Sequence, residues 1–280
     1  RSHHVLFVNI LVMKMNKVLV ELESGHTHYQ MPGKAQVHFQ APKASRGYLY
    51  LYYENSEEID CVIDFEEGSQ WDVVVLNQNI HALKIREDFN LHAHALVRVH
   101  FGEFSKETVE HVSNAYLLGE YAHFISNAAV LARHQDHWLL HAHHQSPYTY
   151  ADLNTHGIVL KGGYLSLDVI GDIPENMRGS KTHQTTRIMN FSEDIAAAVH
   201  PQLLIENNDV EASHAATIGR PDKEQLYYLQ SRGLDEEMAL SLLVLGYLMP
   251  FLTAIEDESL QEKLREQLEG QIFHEKCNTK

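Results

Sequence analysis

Histidine carries the most latent chemistry in this sequence. There are 21 in 280 residues, and three pairs are spaced His-x-His, at His26/His28, His92/His94 and His141/His143. On a β-strand alternate side chains share a face, so each pair offers two imidazoles to one side, and a neutral imidazole is a good transition-metal ligand. Two ligands do not complete a site. No Asp or Glu stands at a spacing that completes a triad locally, so a third ligand has to come from a neighbouring stretch of chain. For every pair a solvated histidine face is the competing reading. His214 stands apart from these pairs; on the residues alone it reads as a histidine hydrogen-bonded at a strand-to-helix corner.

Other chemistry is thinly represented. There is no Gly-x-Ser-x-Gly elbow, no Walker loop and no Gly-x-Gly-x-x-Gly, so no phosphate-cradling loop binds ATP here, and no catalytic residue is assigned. The acidic groups Glu57-Glu58, Glu66-Glu67 and Glu206 with Asp209 are solvated turns, or in the sharper version a paired-carboxylate glycosidase site. Lys plus Arg total 22 against 38 Asp plus Glu, a formal charge of −16 that repels a phosphate backbone, and no basic patch offsets it; nucleic acid is not an expected partner. Two cysteines, Cys61 and Cys277, make neither a disulfide framework nor a four-thiolate metal site, which fits a reducing, cytoplasmic setting. The apolar run Val5 to Met13 is far short of the roughly 20 residues a bilayer crossing needs, and it is read as a strand, with no membrane association.

The elements that must position these residues change character along the chain. From Lys17 to Phe101 short alternating segments recur, among them Val18-x-Val20-x-Leu22, Leu49-x-Leu51-x-Tyr53, Leu83-x-Ile85 and Val97-x-Val99-x-Phe101, separated by turn-formers such as Met31-Pro32-Gly33 and Glu67-Gly68-Ser69. A sandwich, a barrel and a solenoid fit this spacing equally, and no crisp hexapeptide repeat selects the solenoid. Ser105 to His137 is divided between a helical stripe (Val109, Val112, Tyr116) and a buried strand. Past Gly219 three helices announce themselves. Asp222 and Gln225 form a capping-box pattern, Gly233 sits where a helix-terminating glycine belongs, and Asp235 can cap the second helix. That helix carries the stripe Leu240, Leu243, Val244, Tyr247, Leu248 and Phe251, and Pro250 should kink or end it. A last helix from about Glu258 to Phe273 spaces Leu260, Leu264, Leu268 and Ile272 four apart, one narrow apolar face on a charged rod that suits docking on the body or on a partner.

The most specific pattern lies at this junction. Ser213-His214-Ala215-Ala216-Thr217-Ile218-Gly219 resembles the Ser-His-Gly-Ala-Thr-Val-Gly of the SufB/SufD family of the SUF iron–sulfur cluster assembly machinery, in its SufD form rather than the Glu-His-Glu form typical of SufB. Pro201 to Leu204, Asn208-Asp209-Val210, Gln225-Leu226-Tyr227-Tyr228-Leu229, Ser231-Arg232-Gly233 and Gly246-Tyr247 match the family's signature in order and spacing. The likeness continues more weakly over Leu118 to Phe191, and before about Lys106 no specific match is found.

The resemblance implies a mostly β chain: a right-handed parallel β-helix (β-solenoid) over residues 1–218 and a C-terminal α-helical subdomain over 219–280. It implies a SufD-like, non-catalytic scaffold subunit that pairs with a SufB-type subunit or with itself. A SufC-type ABC ATPase would dock on the helices, through Tyr227, Tyr228, Arg232, Leu243, Gly246 and Tyr247. The same helices can instead seal the open end that every solenoid has. His214 would lie at the subunit interface and act in nascent cluster assembly, with no stably bound cofactor but a transient Fe–S cluster or iron. Two departures stand against the family pattern: Ala212 replaces a frequent cysteine, and the helical N-terminal domain of many members has no counterpart in this sequence. From a different class, the alternative is a stand-alone histidine-rich metal-binding or carbohydrate-active β-helix.

Overall fold

The computed structural model describes residues 18–192, 196–253, 255 and 257–274. The expected strand at Val5 to Met13 and Cys277 lie outside the described residues, as does the side chain of Ile272.

Among the described residues, sixteen strands wind alternately between two eight-stranded sheets. The first sheet holds β1 (Val18–Glu21), β3 (Lys34–Ala41), β5 (Glu58–Phe65), β7 (Leu83–Leu91), β9 (Val109–Leu117), β11 (Gln135–His144), β13 (Tyr164–Ile173) and β15 (Ala197–Ile205), in that order. The second holds β2 (Gly25–Gln30), β4 (Arg46–Tyr53), β6 (Gln70–Asn77), β8 (Leu96–Glu103), β10 (His123–Ala132), β12 (Tyr150–Val159), β14 (Lys181–Asn190) and β16 (Glu211–Gly219). Odd strands pair only with odd and even with even, always in parallel, so each turn of chain adds one strand to each sheet. The chain is therefore a β-solenoid, one of the three architectures its alternation allowed.

Alternation decides which side chains fill the interior. In β13 every second residue from Leu165 is buried, and the same parity holds in β5 and β11. The inward files interlock as one core from Leu22 to Ala197, with Phe39, Phe65, Phe89 and Phe101 in the N-terminal rungs. Toward the C-terminal end the inward residues turn polar: Thr155, Thr182, Gln184 and Thr186. The segment divided between helix and strand forms β9 and β10. Its supposed helical stripe splits between faces, Val109 inward and Val112 and Tyr116 outward, because a strand has period two.

The odd-to-even turns stack as well. Ala44, Gly68, His94, Tyr121, Tyr148 and Gly179 all adopt a left-handed backbone, with φ between 57° and 71°. The N–H of Ala44, Gly68, His94 and Tyr148 each donates to a carbonyl in the turn one rung further on. Only two of the six are glycine. A left-handed non-glycine residue costs roughly 1–2 kcal/mol, offset here by the stacking of His94, Tyr121 and Tyr148 at 5.2 Å spacing. At Gly119 a side chain is impossible, since a Cβ there would lie 2.0 Å from the Ala93 nitrogen of the rung below.

Three helices follow: α1 (Lys223–Ser231), α2 (Glu236–Thr253) and α3 (Glu258–His274). The expected caps form: Asp222 accepts from the Glu224 N–H at 2.8 Å, Asp235 from the Met238 N–H at 2.8 Å, and Gly233 takes φ +96°. Two alternatives are decided. First, of the kink or end expected at Pro250, the end does not occur: α2 runs on to Thr253, because Leu248, Phe251 and Leu252 on either side are buried and hold the last turn against the body. Second, the helices do not seal the open end. Val244, Leu248, Phe251, Leu260, Leu264 and Leu268 form a second core with outward residues of the second sheet, Tyr50, Val74, Leu76, Ala129, Leu131 and Ile158. The helices lie along the flank of the solenoid because this sheet, unlike the first, is apolar on both faces.

Candidate functional site

Among the described residues, one of the three His-x-His pairs gains a third candidate ligand. His92 and His94 fall in the turn between β7 and β8, and the left-handed His94 stacks on Tyr121, so the expectation of a shared strand face fails for that pair. On β2, His28 stacks on Tyr50 at 4.5 Å and its Nδ1 lies 2.8 Å from the Tyr52 hydroxyl. His141 and His143 stand on the outer face of β11 with ring centroids 3.5 Å apart. Parallel registry places Asp172 of β13 beside His143, and the three offer ligand atoms within 4.8 Å of one another. Tyr116 of β9 stacks on His143 at 4.6 Å from the other side. Burial, with His143 adding to it, lowers His141 to about 4, so its ring is neutral at neutral pH, one nitrogen keeping its proton and the other a free lone pair. The sequence could not supply Asp172, because its nearness to His143 is one rung of chain rather than a motif spacing.

His214 lies on β16, the last strand of the second sheet, which is exposed at all nine residues and has one edge without a partner among the described residues. Ala212, His214, Ala216 and Ile218 stand in register with Thr182, Gln184, Thr186 and Ile188 of β14, all four buried. His214 thus continues the inward file of the solenoid at its uncovered end, with the alanine that replaces the family's cysteine in the same file. The strand is tied to its neighbour by Lys181 to Glu211 at 2.7 Å and His183 Nδ1 to Ser213 Oγ at 2.8 Å.

The residues named for partner binding separate into two groups. On α1, which buries no residue, Tyr227 is 73% and Tyr228 55% exposed, and the Arg232 guanidinium covers the Tyr228 ring at 5.2 Å. Gly246 is also exposed. Leu243 is half-buried and lines a shallow recess with Tyr228 and Leu229. Tyr247 is turned inward, its ring 5.5 Å from His156 of β12, where it helps hold α2 to the sheet. The acidic pairs at the turns are solvated: Glu57 reaches Lys34 at 3.5 Å and Glu67 reaches Lys43 at 2.5 Å.

Reasoning from spacing alone missed a set of acids inside the solenoid. Glu87, fully buried, accepts from the Tyr53 hydroxyl and from His111 Nε2 at 3.0 Å. Glu103 accepts from Asn77 at 2.8 Å and from the Ser105 N–H at 3.0 Å, and burial raises its pKa. Asp136 accepts from the Val109 N–H at 3.1 Å, and burial, reinforced by Glu103, pushes it up to about 8. Strand parity held the signal: Leu83, Ile85, Glu87, Phe89 and Leu91 share one face.

Comparison with known proteins agrees with this architecture. The model of the family described as "SUF system FeS cluster assembly, SufBD core domain" matches residues 54–247. It therefore begins well before Lys106, where specific likeness had been expected to start. Three relatives are the iron–sulfur cluster assembly protein SufD of Bacillus subtilis strain 168 (33% identical over 117 residues, 42% of this chain and 27% of that protein), a SufBD family protein of Mycobacterium leprae (36% over 107 residues, 37% and 27%), and SufD of Escherichia coli K12 (39% over 64 residues, 23% and 15%). The matched stretch spans about a quarter or less of each relative's length. With the family model covering more than half of its residues on a two-sheet parallel solenoid, the chain belongs to the SufBD core family of the SUF iron–sulfur cluster assembly system.

Proposed function

We propose that this chain is a SufD-type, non-catalytic scaffold subunit that works in the cytoplasm. It pairs through its terminal rung with a SufB-type subunit or a second copy, and it carries a SufC-type ATPase on its C-terminal helices. The observation that carries the pairing is β16: an exposed edge strand is a template for another strand, and soluble proteins do not leave nine such residues open without a device to block them. Iron or a nascent cluster would pass through that interface as cargo, with His214 as one ligand and the partner supplying the others, since Ala212 offers no thiolate. Helix α1 supports the docking reading, because two exposed tyrosines and an arginine on a helix that contributes nothing to the core fit an interface hot spot. No helix among the described residues is long and apolar enough to cross a membrane.

The test is co-purification with the cognate ATPase. The intact chain should retain it, and the combined substitution Tyr228→Ala with Arg232→Ala should release it; retention by that variant overturns the docking reading. Separately, His214→Ala should lower cluster yield in the reconstituted complex while unfolding as the parent does. An unchanged yield removes His214 from the site.

A further inference from the structure

We infer that His141 and His143 of β11 and Asp172 of β13 form a binding site for one divalent first-row transition-metal ion on the outer face of the first sheet, the sheet opposite the one that carries His214 and receives the helices. Two imidazoles and one carboxylate are a donor set that zinc, iron(II), cobalt(II) and nickel(II) accept and that calcium and magnesium, which prefer oxygen alone, do not. The ligand atoms lie within 4.8 Å of one another, with His143 Nδ1 to Asp172 Oδ2 at 4.0 Å. Tetrahedral coordination at zinc–nitrogen lengths of about 2.0–2.1 Å brings ligands to about 3.3 Å, so side-chain rotation on a fixed sheet is enough to close the set. The backbone already does the hard part: strand registry fixes β11 against β13 over nine residue pairs, and Tyr116 packs against His143 at 4.6 Å. Asn114, in register with His141, donates to Asp88 at 2.7 Å, holding a second carboxylate close by. Two imidazole centroids only 3.5 Å apart, with the buried His141 Nε2 lacking a hydrogen-bond partner among the described residues, make a poor resting arrangement for polar groups. A shared cation satisfies both. The side chains of His143 and Asp172 are 20% and 33% exposed, so an ion can enter from solvent and keeps an open coordination position for water or a small ligand. This site does not rest on the assembly role, and it differs from His214 in needing no partner chain.

The probe is cobalt(II) added to the intact purified chain, followed by its visible ligand-field absorption and by equilibrium dialysis, with zinc(II) in competition. One equivalent should bind with a low-symmetry spectrum that zinc abolishes. Asp172→Asn, which keeps the shape of the side chain, and His143→Ala should each weaken binding by more than about 100-fold, at least what loss of an outer partner costs a metal site. Circular dichroism should show both variants folded. The double variant His26→Ala with His28→Ala should bind as the parent does. Equal affinity and spectrum in the parent and in Asp172→Asn and His143→Ala would overturn the assignment, as would loss of the ion in the His26/His28 variant instead.

Discussion

Gly102→Ala is the sharpest test of where the helices sit. Gly102 faces outward on β8, between Leu76 and Ala129 of the neighbouring strands. A Cβ there would lie 2.5 Å from Cζ of Phe251 on α2 and 2.9 Å from the Phe104 ring, and Phe251 packs edge-on against Phe104 at 5.6 Å. One methyl therefore has to push the helix or flip a buried ring, an overpacking cost of about 1–3 kcal/mol. Phe251→Ala alone, at a residue 3% exposed, should cost about 3–5 kcal/mol through lost burial and a cavity. Combined, the changes should be non-additive: the methyl introduced at position 102 enters space vacated by the ring, and the double variant recovers about 1–2 kcal/mol relative to the sum. The assay is urea unfolding of the four proteins, with limited proteolysis of residues 236–274 to report release of the helices. Additivity within about 0.5 kcal/mol would refute the placement of α2 over Gly102, since distant sites do not couple.

Three further outcomes follow from the geometry. Asp136 is raised from 3.8 to about 8, so folding favours its protonated form; its contribution to stability is fully present below the unfolded value and is lost as pH climbs from about 4 to about 8. Asp136→Asn, which keeps the acceptor for the Val109 N–H, should therefore stabilise the chain more at pH 7 than at pH 5, the gap approaching about 1.4 kcal/mol per pH unit; equal effects at both pH values in chemical unfolding would contradict the assignment. Ala44→Gly, at φ +57°, relieves a left-handed alanine and should raise stability by roughly 0.5–1 kcal/mol, read as a higher denaturant midpoint. Ile218→Lys, at a side chain 47% exposed on β16, should leave the unfolding midpoint within about 0.5 kcal/mol of the parent yet abolish self-association or pairing in sedimentation velocity; unaltered assembly would rule out pairing through that strand.

How much of this was legible in the sequence depends on how far apart the interacting residues are. The strands and their inward parity were readable, because alternation is local, and so were the helix caps at Asp222 and Asp235, which act over two or three residues. The winding was not. Equivalent positions such as Val37, Cys61, Glu87 and Ser113 share an inward file through registry alone, at unequal intervals and with unlike side chains, so no repeat marks them. The turns hid for the same reason: Ala44, His94, Tyr121 and Tyr148 take the conformation that glycine signals elsewhere. The helices were legible, as was an apolar face on the last of them suited to the body or a partner; which surface receives them was not, because a second apolar face on a sheet shows only when Tyr50, Val74, Ala129 and Ile158 are brought into one cluster.

That placement has a consequence for function. With α2 and α3 packed on the middle of the second sheet, the candidate ligands among the described residues stand on the outer face of the first sheet and on the terminal rung. The two are built differently. The first is rigid on both sides, with β11 clamped between β9 and β13, so His141, His143 and Asp172 can hold a geometry by themselves. Among the described residues the terminal rung has a neighbour on one side only, and His214 stands with alanines in its file. A ligand on a half-supported strand gains its remaining partners and its rigidity only when another chain completes the sheet. Under the proposed role, cluster chemistry at His214 would be coupled to assembly, whereas the metal site proposed on the first sheet would not be, and measuring both on the isolated chain and on the complex separates them.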